Sequence, residues 1–153
     1  MKRFITDIVF YIGMLFLVFS MFIPVFVQEL VRDGVISYER LSLSNTNMWL
    51  VVIAFIVAAF FLQIRKKRKY ASVSGFLAVA CDAVCIYSFW DEQHYTEAAY
   101  NNPNSLTAQF ASYSGISSVT VTQTAGFYVV IAAAAVFAVL CIINLAVKDE
   151  WGY

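Results

Sequence analysis

Few residues in this chain have side chains that could do chemistry, and most of those lie inside long apolar stretches. Asp82 is the clearest. It stands in Ala80-Cys81-Asp82-Ala83-Val84-Cys85, and no other charged residue occurs between Ala71 and Trp90. An ionisable group in the middle of a membrane span costs at least about 2.5 kcal/mol and marks a functional position by default. Counted along a helix from Ala71, Asp82 lies about 18 Å up, at 1.5 Å per residue. Ser20 falls at nearly the same depth in the first apolar stretch. With no cation in reach, desolvation favours the neutral acid at such a position. Three roles fit: a hydrogen bond across helices, with Ser20 as the nearest candidate; a proton or ion site; or a polar contact to a partner subunit.

The three cysteines, Cys81, Cys85 and Cys141, all fall inside apolar stretches. Four-span quinone-linked thiol oxidases need a C-x-x-C pair and loop cysteines. Cys81 and Cys85 have C-x-x-x-C spacing, so these thiols are expected to act as small buried hydrophobes. His94 is the one histidine, in Asp91-Glu92-Gln93-His94-Tyr95-Thr96-Glu97. One histidine among scattered carboxylates is a poor ligand set. No H-E-x-x-H, G-x-S-x-G or P-loop pattern occurs, and no cofactor or metal is expected. The run Arg65-Lys66-Lys67-Arg68-Lys69 fits a lipid-headgroup and topology anchor, each cation contributing about 1 kcal/mol near an anionic leaflet.

Composition says what must hold these residues. Of 153 residues, 61% are apolar and 13% charged, against about 45–50% and about 25% in soluble domains. A soluble enzyme and a disordered chain are both disfavoured. Ten basic residues balance ten acidic ones, so no global basic field invites nucleic acid. Four stretches approach the roughly 20 apolar residues that a spanning helix needs: 8–27, 48–64, 71–90 and 126–147. Lys2 and Arg3 before the first resemble a signal peptide, but the run is too long and lacks a cleavage site, so a retained helix is expected.

Lys and Arg set the orientation. Lys2, Arg3, Arg65, Lys66, Lys67, Arg68, Lys69 and Lys148 fall on one side; Arg32 and Arg40 fall on the other. Both termini and the loop 65–70 are then cytoplasmic, and loops 28–47 and 91–125 lie outside. The outer loops carry most of the acids. Trp49, Trp90 and Tyr128 sit at outer span ends, and Tyr70 and Trp151 at inner ends, as an aromatic belt. The short loop 65–70 makes spans two and three antiparallel neighbours.

Asp33-Gly34 predicts a turn. Residues 35–44 and 116–122 are rich in β-formers and partly alternating. Residues 91–100 have weak helical character, 101–105 form a breaker cluster, and Asn45-Thr46-Asn47 reads as a turn and N-cap. A lone strand leaves its backbone unpaired, so the two outer loops are expected to join in a small β-cap. Ser74, Ala78, Cys81, Asp82, Cys85 and Ser88 share one small-residue face, and Ala134, Ala138 and Cys141 share another. Such faces suit close helix packing or an oligomer contact.

The fold class expected is an all-α integral membrane protein: an antiparallel four-transmembrane-helix bundle with a small extracellular β-cap, in one domain. It resembles small four-span membrane proteins of the claudin and PMP22-like group in span order, in Pro24 at the outer end of span one, and in Gly126-Phe127-Tyr128 opening span four. The claudin loop signature of Trp, Gly-Leu-Trp and two cysteines is absent. The resemblance therefore implies the architecture and no barrier function. The expected role is a non-catalytic accessory, scaffold or immunity-type subunit of the plasma membrane. It would contact membrane lipids and another membrane or extracellular protein. The alternative is a homo-oligomeric channel or proton-coupled transporter using Asp82. A lipid- or thiol-directed enzyme is a distant third, since no nucleophile–base pair is evident.

Overall fold

A computed structural model describes residues 2–147, without the side chains of Lys2 and Arg3. Lys148, Asp149, Glu150 and Trp151, which bear on the inner charge and aromatic belt, lie outside the described residues. The described residues are mostly helical, with five α-helices and one small sheet. The order is α1 (Lys2–Ser20), β1 (Pro24–Arg32), β2 (Val35–Ser42), a 3-10 turn (Leu43–Asn45), α2 (Trp49–Ile64), α3 (Arg68–Asn101), α4 (Leu106–Tyr113), β3 (Ile116–Gln123) and α5 (Ala125–Ala146).

Four helices pack side by side. α3 lies between α2 and α5, and α1 packs on α5. Each buries one stripe at helical spacing: Phe10, Met14 and Leu17 on α1, continued by Met21 just past its end; Val52, Ile56 and Ala59 on α2; Ala71, Ala78, Cys85 and Phe89 on α3; Val130, Ala133, Phe137 and Cys141 on α5. The small residues of α3 do allow close approach. A Cβ on Gly75 would come within 2.6 Å of the Cys141 sulfur. Outward faces are apolar too, with Ile12, Phe19, Phe61, Val84, Val139 and Ile142 all exposed. α3 and α5 are long and apolar enough to cross a membrane, while α1 and α2 are shorter apolar helices.

The first apolar stretch divides where one helix, 8–27, was expected. α1 starts earlier and stops at Ser20, and β1 begins at Pro24. Proline lacks the N–H a helix interior needs and pushes the preceding residue out of helical geometry. Val25-Phe26-Val27 then suits a strand. β1 is the centre of an antiparallel sheet of order β2-β1-β3. The expected cap is present, but its two expected strands each pair with β1 rather than with each other. Asp33 and Gly34 turn the hairpin with φ of 50° and 78°, as two-residue hairpins favour.

Helix α3 runs from Arg68 to Asn101, eleven residues beyond the expected end at Trp90. At about 1.5 Å per residue its 34 residues span about 51 Å. Its far end and α4 pack against β3. The breaker cluster does end it: Ser105 caps α4, accepting from the Ala108 N–H at 2.9 Å. α4 itself was not foreseen. The Asn45-Thr46-Asn47 segment does not cap α2, because Asn45 turns back to accept from the Ser42 N–H at 3.0 Å.

The residues behind the resemblance meet each other. The Thr124 hydroxyl donates to the Pro24 carbonyl, and a Cβ on Gly126 would overlap that same oxygen. α5 can start against β1 only because residue 126 is glycine.

Candidate functional site

The helices bury several polar groups; Ser74 donates to the Phe55 carbonyl at 2.8 Å and Gln93 is buried with its Oε1 unpartnered among the described residues, but two places stand out. The first is at the end that carries the short α2–α3 loop. Gln63 of α2 and Asn144 of α5 face each other and exchange amide hydrogen bonds: Gln63 Nε2 donates to Asn144 Oδ1 at 3.2 Å, and Asn144 Nδ2 donates to Gln63 Oε1 at 3.0 Å. Asn144 Nδ2 also donates to Ser72 Oγ of α3 at 3.0 Å. Gln63 Nε2 reaches Asp7 Oδ1 of α1 at 2.6 Å. The other oxygen of Asp7 accepts from Arg68 Nη2 at 3.0 Å. All four packed helices contribute to this one network. Gln63, Ser72 and Asn144 are buried, and the Arg68 side chain is 9% exposed.

The network divides the basic run. Arg65, Lys66, Lys67 and Lys69 are exposed, as an anchor requires, whereas Arg68 points inward to Asp7. The loop shrinks to three residues, with Lys66 at a φ of 57°. Gln63 and Asn144 are visible in the sequence as polar interruptions of apolar stretches. Their convergence with Asp7 and Arg68 is not. The available signal was depth: all four lie within a turn or two of the same helix ends.

The second place is Asp82, midway along α3. It is fully buried, and neither carboxyl oxygen has a hydrogen-bond partner among the described residues. The expected bond to Ser20 is not made. Ser20 is also fully buried, but its hydroxyl donates within its own helix to the Leu17 carbonyl at 2.7 Å. Cys81 is half-buried and Cys85 buried one turn further along; Cys141 is buried on α5, and all three are free thiols. His94 stacks near Trp90, ring centroids 4.2 Å apart, with Nδ1 3.1 Å from the Trp90 carbonyl. Among the described residues no three His, Cys, Asp or Glu side chains converge as a metal site.

A shallow apolar groove of about 310 Å³ runs between α3 and α5, lined by Ala83, Tyr87, Trp90, Phe127 and Ile131 among others. Larger apolar side chains are exposed on the cap. Leu106, Phe110 and Tyr113 of α4 are 71%, 70% and 89% exposed, and their spacing places them on one helix face. Val35, Ile36 and Tyr38 of β2 are exposed as well.

No family model, curated protein or solved structure matches the chain.

Proposed function

We propose that the chain is a four-span plasma-membrane protein and a non-catalytic accessory, scaffold or immunity-type subunit, binding a partner protein through its outer cap. The architecture is that of small four-span membrane proteins. Support for the membrane reading is the polarity of the helices. Only 39% of the apolar window of α3 and 33% of that of α5 is buried. Their exposed faces are apolar while Ser72 and Asp82 of α3 and Asn144 of α5 are buried, as is Gln63 of α2. Water would demand the reverse arrangement, and lipid demands this one. α1, with 19 residues, and α5, with 22, reach about 28 and 33 Å at 1.5 Å per residue, against a hydrocarbon core of about 30 Å. α2 is shorter, and the exposed cations of the α2–α3 loop extend its reach toward the inner headgroups.

The observation that carries the partner-binding role is the exposed apolar surface of the cap. α4 follows the outer end of α3 and precedes β3, whose first residue pairs beside the hairpin turn. Its Leu106, Phe110 and Tyr113 therefore stand away from the bilayer, where exposed apolar clusters mark protein contacts. The test is native-mass measurement of the complex extracted in mild detergent, with cross-links from segments 28–47 and 91–125. A stoichiometric second protein, lost in a Leu106→Ser, Phe110→Ser, Tyr38→Ser variant that keeps its Tm, is the expected result. A lone chain in native membranes contradicts the reading.

A second reading rests on Asp82. A buried carboxyl without a partner suits a proton or cation path in a homo-oligomeric channel or proton-coupled transporter. Asp82→Asn should then abolish flux in vesicles at unchanged expression, and unchanged flux ends that reading.

A further inference from the structure

The two edges of the outer sheet are finished differently. On the β3 edge, the side chain of Asn101, the last residue of α3, donates from Nδ2 to the Val119 carbonyl at 2.7 Å and accepts the Val119 N–H at 3.3 Å. One side-chain amide thus stands in for a neighbouring strand, and α3 and α4 cover the same edge.

The β2 edge has no such cover among the described residues. Arg32 and Val35 close the two-residue turn. Such a turn closes on a hydrogen-bonded pair, so Val35, Ser37, Glu39 and Leu41 bond to β1. The N–H and C=O of Ile36, Tyr38 and Arg40 then point away from the sheet. Edges are normally blunted by proline, charged side chains (lysine above all) or a bulge. Val35–Arg40 contains no proline or lysine, its charges Glu39 and Arg40 stand only at its far end, and the register shift of this pair falls beyond them, at Pro24/Phe26. All six residues from Val35 to Arg40 are exposed.

We infer that this edge receives an extended segment of a partner protein as a fourth strand. The inference deepens the partner-binding reading above and rests on it. Main-chain pairing supplies the affinity in such additions, and alternate side chains supply the specificity. The segment carries apolar or β-branched residues on the face of Ile36 and Tyr38. Glu39 and Arg40 end the exposed run, so the segment sets opposite charges against them. A second copy in the same membrane does not fit. Two-fold pairing of identical edge strands is antiparallel, with the axis across the strands. Strands that rise from α1 and return to α2 run in the same sense in two copies sharing a bilayer.

The test places a photoreactive phenylalanine analogue at position 36 or 110 of the full chain in native membranes. Amide exchange of residues 35–41 is followed there and after purification in detergent. The expected result is one cross-linked partner from position 36. Exchange at Ile36, Tyr38 and Arg40 is slow in the membrane and fast in the purified chain. Tyr38→Pro removes one outward N–H, which an edge strand tolerates. It should weaken the cross-link from position 36 by about tenfold, the equivalent of one main-chain hydrogen bond, while Tyr38→Thr weakens it less. If Tyr38→Pro lowers the Tm, the exchange comparison on the unaltered chain decides. Partner cross-links from position 110 alone, with fast exchange at 36, 38 and 40 throughout, overturn the strand addition and leave the partner-binding reading standing. A product of twice the chain's mass, or a cross-link unchanged by Tyr38→Pro in a folded variant, also overturns the strand addition. No product from either position removes both.

Discussion

The helix ends beside the α2–α3 loop and the middle of α3 both bury polar side chains, in opposite ways. Beside that loop, Asp7, Gln63, Arg68, Ser72 and Asn144 join across four helices with donors matched to acceptors, the Arg68 Nη1 being the one orphan. At Asp82 two oxygens are buried with no partner. Hydrogen bonds between spanning helices contribute about 0.6 kcal/mol each on average and up to about 1.7. An unpaired buried polar group only costs. The network therefore holds the helices in register, whereas Asp82 adds nothing to the fold through hydrogen bonding.

Substitutions in both places sharpen that contrast. Asp7→Ala has the largest expected effect. It leaves the Arg68 guanidinium, 9% exposed, without its counter-ion; breaking a fully buried pair costs about 3–5 kcal/mol, and the 33% exposure of the Asp7 side chain puts this loss at the low end of that range. Unfolding in mixed detergent micelles measures it. Asp7→Leu with Arg68→Met should recover most of the loss, because removing both partners leaves no orphan charge. Asn144→Leu comes next. It strips partners from Gln63 and Ser72, and each unsatisfied group costs about 1–3 kcal/mol. The same titration, run in parallel with Gln63→Leu, should show that the two changes are not additive. Asp82→Leu should be neutral or stabilising by roughly 1 kcal/mol, since an apolar side chain of similar volume replaces an orphan polar one. A loss above about 2 kcal/mol would mean Asp82 has a structural partner and would erase the contrast. Ser20→Ala should change stability least, by less than about 0.5 kcal/mol, because its hydroxyl only returns to the Leu17 carbonyl in its own helix.

Much of this architecture is legible in the sequence. The apolar stretches, the tight basic loop and the outer sheet follow from hydropathy, charge and alternation. Elsewhere one local feature overrode an average. Pro24 converts the tail of an apolar run into the central strand, and a hydropathy window does not register that change. The acidic stretch after Trp90 shows weak helical character, but its low hydropathy hides that it continues α3 without a break and packs on β3. α4 is eight residues long, too short for periodicity to be decisive. The site was harder. Asp82 stands out as a charge in an apolar run, and its burial follows. Its lack of a partner depends on where Ser20 points, which spacing does not fix. The network beside the α2–α3 loop depends on four helices converging at one depth, and a single sequence carries the depths without the rotations.

The central claim is that these helices are solvated by lipid, with the sheet outside and the basic loop inside. Single cysteines test it most directly, in a chain with Cys81, Cys85 and Cys141 replaced by alanine. Ser37→Cys on β2, Ser112→Cys on α4 and Lys66→Cys in the α2–α3 loop are exposed positions. A membrane-impermeant maleimide should label the first two in intact cells and reach the third only after permeabilisation. Equal labelling of all three in intact cells, or release of the chain from membranes by alkaline carbonate, would contradict the account.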